Sequence, residues 1–224
     1  MKKNKKLVIV GAGEFAAIAY EYFTYDSEYE VFGFAVNKDY IKEETYYDLP
    51  LVAVEELESH FPNNEYEAFV AIPASKLNQL RTEFYNELKS RGYKLATYVS
   101  SHAFVWRNVE IGDNCFIFEN NTLQPFVKVK NNVILWSGNH IGHQSIIDNN
   151  VFVSSHVVIS GYCHIGESCF LGVNSTFNDN TTIAPFSILG SGSLVNKSLE
   201  EENRVYIGSP AKMLPKLIAK KMKL

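Results

Sequence analysis

The chain has 224 residues, 46% of them hydrophobic, and a net charge of −4. That length can bury a substantial core in one or two domains, and the acidic balance lacks the basic surface that nucleic-acid binding demands. No run approaches the roughly 18 apolar residues that span a bilayer, and the apolar stretch after the N-terminal lysines is too short for a signal-peptide core, so a cytoplasmic protein is expected.

In chain order, residues 5–10 read as a continuous apolar strand, followed by Gly11-Ala12-Gly13-Glu14-Phe15-Ala16 and an apolar helical pattern over 16–23. Residues 31–36 read as a second strand, 55–60 as a short helix and 68–72 as a third strand. A helix over 77–91 closes at Gly92, and 94–98 form a last strand. Strands alternating with helices predict a small Rossmann-like βαβ domain with a parallel sheet over residues 1–98. Gly11 and Gly13 permit a tight turn and a close approach of backbone to a ligand, whose phosphates can meet the helix N-terminus. A dinucleotide fingerprint would place a third glycine at Ala16 and an acidic residue where Asn37 stands, with Lys38 after it, which argues against an NAD-type site. A nucleotide-bearing substrate at the strand ends accounts for the turn better. The alternative is a turn serving only helix–sheet packing.

From Val99 to Val195 an apolar residue recurs at every sixth position, for seventeen hexads without a slip. A second series four places later is mostly small, from Ala103 to Ser193, and holds the cysteines Cys115, Cys163 and Cys169. Such a period predicts a left-handed parallel β-helix over residues 99–212, because each unit buries its apolar face only by stacking on its neighbours. Three hexads close a coil of 18 residues, so positions 18 apart stack. Asn121 and Asn139 should therefore form an inward amide ladder. The cysteines read as buried apolar-like residues of a reducing compartment. Ile207-Gly208-Ser209-Pro210-Ala211-Lys212 should cap the open end, and residues 213–224 read as a short basic helix.

Four of the six histidines, His140, His143, His156 and His164, fall between residues 135 and 170. His140 and His143 face outward, and Gly161 stacks one coil from His143, leaving room for a substrate. Surface histidines without a task are one reading. A zinc site is another, since imidazole suits zinc, but no carboxylate–histidine set repeats around the pair and no metal is expected. The third is general-base catalysis, in which neutral imidazole takes a proton from an attacking amine or hydroxyl.

A βαβ domain opening on Gly-Ala-Gly and joined to these hexads resembles the bacterial sugar acyltransferases of the PglD/NeuD type. The resemblance covers essentially the whole chain and is carried by Ile141-Gly142-His143-Gln144, Ile159-Ser160-Gly161, the stretch 169–175, Ile188-Leu189-Gly190-Ser191-Gly192 and the stretch 207–212. It implies an acetyl-CoA-dependent N-acetyltransferase acting on a nucleotide-linked (UDP-, dTDP- or GDP-) amino-deoxysugar for surface polysaccharide or glycoprotein synthesis. It also implies a homotrimer with acetyl-CoA between subunits. His143 would be the base, and Phe152, Val173 and Ser191 would contact the coenzyme, with Gly161, Gly172 and Gly190 letting its pantetheine arm pass. Gly13, Glu14, Phe15, Asn37 and Lys38, beside Gly11, would contact the nucleotide sugar. Two departures stand out. The family has an acid directly after the base where this chain has Gln144, which can orient the ring by hydrogen bonding but adds no charge. Phe152 stands where a histidine is found in PglD. The backbone N–H near Gly161 is the expected oxyanion donor. The rival readings are a sugar O-acetyltransferase of sialic-acid type and a zinc-dependent hydratase on the same solenoid.

Overall fold

The computed structural model of the chain describes residues 2–224. Two compact units emerge: Met1–Pro73 with Glu83–Tyr98, and Ala74–Thr82 with Val99–Leu224.

In the first unit, β1 (Lys5–Val10) runs into α1 (Glu14–Tyr25), followed by β2 (Tyr29–Val36), β3 (Thr45–Tyr46), β4 (Leu49–Ala53), α2 (Leu57–His60) and β5 (Glu67–Val70); α3 (Gln79–Ser90) begins in the second unit and ends in the first. The sheet order is β3-β4-β2-β1-β5, parallel except for the β3–β4 hairpin. Leu7 to Val10 are all buried, which is why β1 reads as a continuous apolar run and does not alternate. The hairpin was not expected from the sequence. Its two turn residues, Tyr47 and Asp48, both take positive φ (52° and 59°) without the glycine that normally marks such a turn. The strand expected over residues 94–98 contributes only one bridge within this unit, Leu95 beside Ala68.

The second unit is the solenoid. Two-residue strands stack in parallel into three faces, with every rung joining residues 18 apart, as in His140 beside Val158 and Phe152 beside Phe170. The first face carries Phe116–Ile117 through Ile188–Leu189, the second Phe104–Val105 through Leu194–Val195, and the third Glu110–Ile111 through Thr182–Ile183. This is the left-handed parallel β-helix expected. The step-six residues from Ile117 to Val195, and the small series from Cys115 to Ser193, are buried throughout. Every sixth residue from Asn114 to Gly192 has positive φ, because each corner turns through the left-handed region. Asparagine tolerates that region better than other residues with a side chain, which explains Asn114, Asn120, Asn132, Asn150, Asn174 and Asn180 there.

Those corner asparagines also form the amide ladder. Asn114 Nδ2 donates to Asn132 Oδ1 (2.7 Å) and Asn132 Nδ2 to Asn150 Oδ1 (2.8 Å). The ladder expected at Asn121 and Asn139 does not form. Asn121 Nδ2 donates to the carbonyls of Phe118 and Trp136, both at 2.9 Å, and Asn139 Nδ2 also donates to Trp136 O, while its Oδ1 accepts from the Val157 N–H at 2.7 Å. Main-chain carbonyls and N–H groups of the same coil and of the next one reach each inward amide and take up its hydrogen bonds. The C-terminal segment is a second correction. Residues Lys212–Ile218 form a strand antiparallel to Arg204–Ile207, with only a 3-10 turn at Ala219–Lys221. Pro215 inside the segment removes a helical donor and clashes with the preceding turn. Buried Ala219 instead packs with Leu77, Ile188 and Val205.

Candidate active site

His143 sits on the corner that follows the second face, and its side chain is exposed. Its main-chain N–H donates to Gln124 Oε1 at 3.0 Å, and its Nδ1 lies 3.3 Å from the same oxygen. Tyr162 meets the imidazole edge-on, with ring centroids 5.1 Å apart at 82°. A Cβ at position 161 would lie 2.6 Å from His143 Cε1 and 2.9 Å from Nε2. Gly161 was expected to leave room for a substrate, and the space that a side chain would take there holds the imidazole itself. His140 lies one strand earlier on the second face and is half-buried, and His156 packs over Gly138 on a different corner.

Gln144 does not play the part expected of it. It occupies the left-handed corner position (φ 61°), its N–H donates to Pro125 O at 3.1 Å, and its side chain is exposed; the ring nitrogen is met by Gln124. The 18-residue period puts Pro125 one coil below His143, whereas the side chain that reaches the ring comes from the neighbouring Gln124. The Gly161 N–H is also already engaged, donating to Asp179 Oδ1 at 2.7 Å, so it is not a free oxyanion donor. Asp179 is one coil beyond Gly161, a relation the 18-residue period could have exposed.

The other expected coenzyme positions divide. Gly172, Val173, Gly190 and Ser191 lie together on the corner that follows the first face, where Val173 and Ser191 are exposed. Chain stacking accounts for these glycines, since a Cβ on Gly172 would meet Ser191 N at 2.5 Å and one on Gly190 would meet Ile207 Cγ2 at 2.7 Å. Phe152 is not with them. It lies on the flat first face, 8% exposed, stacked on Phe170 at 5.3 Å and 11° with Trp136 on its other side, and this packing closes its ring off from a ligand.

In the first unit, the C-terminal end of β1 runs into Gly11, whose φ of +131° and 2.7 Å clearance from Ala71 O admit no side chain. Gly13 caps α1 without a side-chain cap, and nothing lies within 4 Å of a Cβ added there. Glu14, Asn37 and Lys38 are exposed around that end, and the Lys38 N–H is held by Glu55 Oε2 at 3.2 Å. Phe15 belongs to the core. It is 4% exposed and packs edge-on against Phe69, because its place on α1 turns it onto the sheet. Tyr46, on the unexpected hairpin, sends its hydroxyl to within 3.5 Å of Gly13 O and packs against Phe34 and Tyr47.

Among the described residues no group of three or more His, Cys, Asp or Glu side chains is placed to hold a metal ion, and no helix is long and apolar enough to cross a membrane. No family model matches the sequence. Solved structures do match. The acetyltransferase domain of PglB from Neisseria gonorrhoeae FA1090 aligns at a TM-score of 0.83 and 22% identity, over 94% of this chain and 100% of that one, and is also known in complex with acetyl coenzyme A. PerB from Caulobacter crescentus, in complex with CoA and GDP-perosamine, aligns at 0.81 and 21% identity over 93% and 97%. WeeI from Acinetobacter baumannii AYE aligns at 0.79 and 18% over 94% and 100%. The chain shares their fold. Both the α/β unit and the solenoid are covered at these lengths, so the two-part architecture is common to all.

Proposed function

We propose that this chain is an acetyl-CoA-dependent N-acetyltransferase acting on a nucleotide-linked amino-deoxysugar. The observation that carries the reading is His143, an exposed imidazole braced by Gln124 on one side and facing bare backbone at Gly161 on the other. PglB and PerB, which share the fold, are described with acetyl-CoA and with CoA and GDP-perosamine. The sugar amine attacks the thioester carbonyl, His143 takes its proton, the C–N bond forms as the C–S bond breaks, and the proton passes to the departing CoA thiolate. No acyl-enzyme is needed, and the three cysteines are buried away from any such role. The nucleotide binds in the first unit, its phosphates at the N-terminus of α1 beside Gly13 and Lys38. Acetyl-CoA and nucleotide sugars are cytoplasmic metabolites, and the reaction is assigned to that compartment, serving surface-polysaccharide or glycoprotein synthesis.

The histidine corner and the Val173–Ser191 corner are different edges of one three-sided solenoid, so a site using both takes one edge from each of two copies. Phe104, Trp106, Phe126, Val158 and Tyr162 are all at least 40% exposed on or beside the second face and offer apolar surface for a homotrimer contact. His143→Ala should lower amine-dependent CoA release by about 10²- to 10⁴-fold, the usual contribution of a general base. Unchanged turnover would remove the assignment, and turnover of a free hydroxyl sugar in place of the amine would point to O-acetylation.

A further inference from the structure

The pair Gln124–His143 contains more information than a brace. A main-chain N–H can only donate, and that of His143 points at the Gln124 side chain at 3.0 Å. The atom it meets must therefore be the amide oxygen, since an NH₂ there would set donor against donor. The ring Nδ1 lies 3.3 Å from that same oxygen, so it too must face it as a donor. In the neutral ring this places the proton on Nδ1 and the lone pair on Nε2, the nitrogen that lies toward Gly161. Gln124 is itself held in place, because its N–H donates to Ile141 O at 3.0 Å in the adjacent coil.

We propose that Gln124 is a positioning residue that fixes His143 in the Nδ1–H tautomer and so presents Nε2 as the proton acceptor. The tautomer stands on hydrogen-bond geometry alone; its catalytic value rests on the N-acetyltransferase reading. Because Gln124 is uncharged, it orients the base without the acidic partner whose absence at position 144 is otherwise unaccounted for.

The test is a long-range proton–nitrogen correlation spectrum of ¹⁵N-labelled protein, with His143→Ala identifying the ring signals. At alkaline pH the wild-type ring should show the Nδ1–H pattern. Gln124→Met, which removes the acceptor, should shift it to a mixture rich in Nε2–H, and Gln124→Glu, which keeps an acceptor oxygen, should restore Nδ1–H. In parallel, Gln124→Met should lower kcat about 10- to 100-fold with KM for acetyl-CoA within about twofold, and Gln124→Glu should recover most of it. An Nε2–H pattern in the wild type, or an Nδ1–H ring surviving in Gln124→Met, overturns the proposal. Should Gln124→Met fail to fold by circular dichroism, the wild-type and Gln124→Glu spectra decide it alone. A wild-type Nδ1–H ring in a protein with no acetyl transfer would sink the functional reading and leave the tautomer assignment standing; an active enzyme with the opposite tautomer would do the reverse.

Discussion

Single residues decide whether the corner at His143 can work. Gly161 has no positive φ that would bar a side chain, so its requirement is steric and directed at one neighbour, the imidazole. Gly161→Ala should push the ring off its place beside Gln124, since the atoms it meets are the far end of a movable side chain. We expect kcat to fall by about 10²-fold, within the range of losing a general base, while the melting temperature changes little; equal loss of both would show that the glycine serves the fold alone. The cysteines give a prediction of the opposite kind. Burial pushes the thiols of Cys115 and Cys169 up to about 12, and Cys163 is buried as well. Dithiobisnitrobenzoate should find no fast-reacting thiol in the native protein and three after denaturation. A rapid native reaction would refute the packing.

At the scale of elements, the segment Ala74–Thr82 is tied to the solenoid by the side chains of Leu77, Asn78 and Arg81. Arg81 is fully buried; its Nε donates to Asn132 Oδ1 at 3.2 Å, and its Nη2 donates to the carbonyls of Asn132 (3.2 Å) and Asn150 (3.0 Å). These carbonyls belong to the corners whose asparagines make the amide ladder, so the guanidinium closes the ladder's side. Asn78 joins it, accepting from Arg81 Nη1 at 3.3 Å and donating to Cys169 O at 3.2 Å. Arg81→Leu would leave several buried acceptors without a donor, each at a cost of about 1–3 kcal/mol. Denaturant titration should show a loss of about 3 kcal/mol or more; a loss below about 1 kcal/mol would mean that water or relaxation replaces the contacts. The C-terminal strand carries a related lesson. Residues 213–224 have the charge of a solvated helix, yet Pro215 and an available strand edge at Arg204–Ile207 outweigh local propensity.

For the whole molecule, the separation of the two corners makes assembly a testable requirement of the proposed chemistry. Light scattering should report a species of three times the 25.4 kDa chain. Charged replacements at the exposed Phe104 and Phe126 should yield monomers that stay folded but lose acetyl transfer; fully active monomers would show that one chain suffices.

The architecture of the solenoid follows from the amino-acid order alone, because a six-residue period admits one way to bury its apolar series, and each step-six residue from Ile117 to Val195 is where the period puts it. The same order also placed His143 outward with Gly161 one coil away, since stacking at 18 residues is a consequence of that period. The βαβ order and the turn at Gly11 were legible from continuous apolar runs punctuated by glycine. Which side chains meet across coils, and which are covered, is set only once the coils pack. A period gives the height and face of a residue but not where a long side chain ends, so it could not tell that Gln124 reaches His143 while the adjacent Gln144 does not. Nor could it tell that Asp179 occupies the Gly161 N–H, or that Phe15 and Phe152 turn into packed aromatic clusters. Those outcomes depend on rotamers and on competition among neighbouring donors and acceptors, which exist only once the coils are stacked.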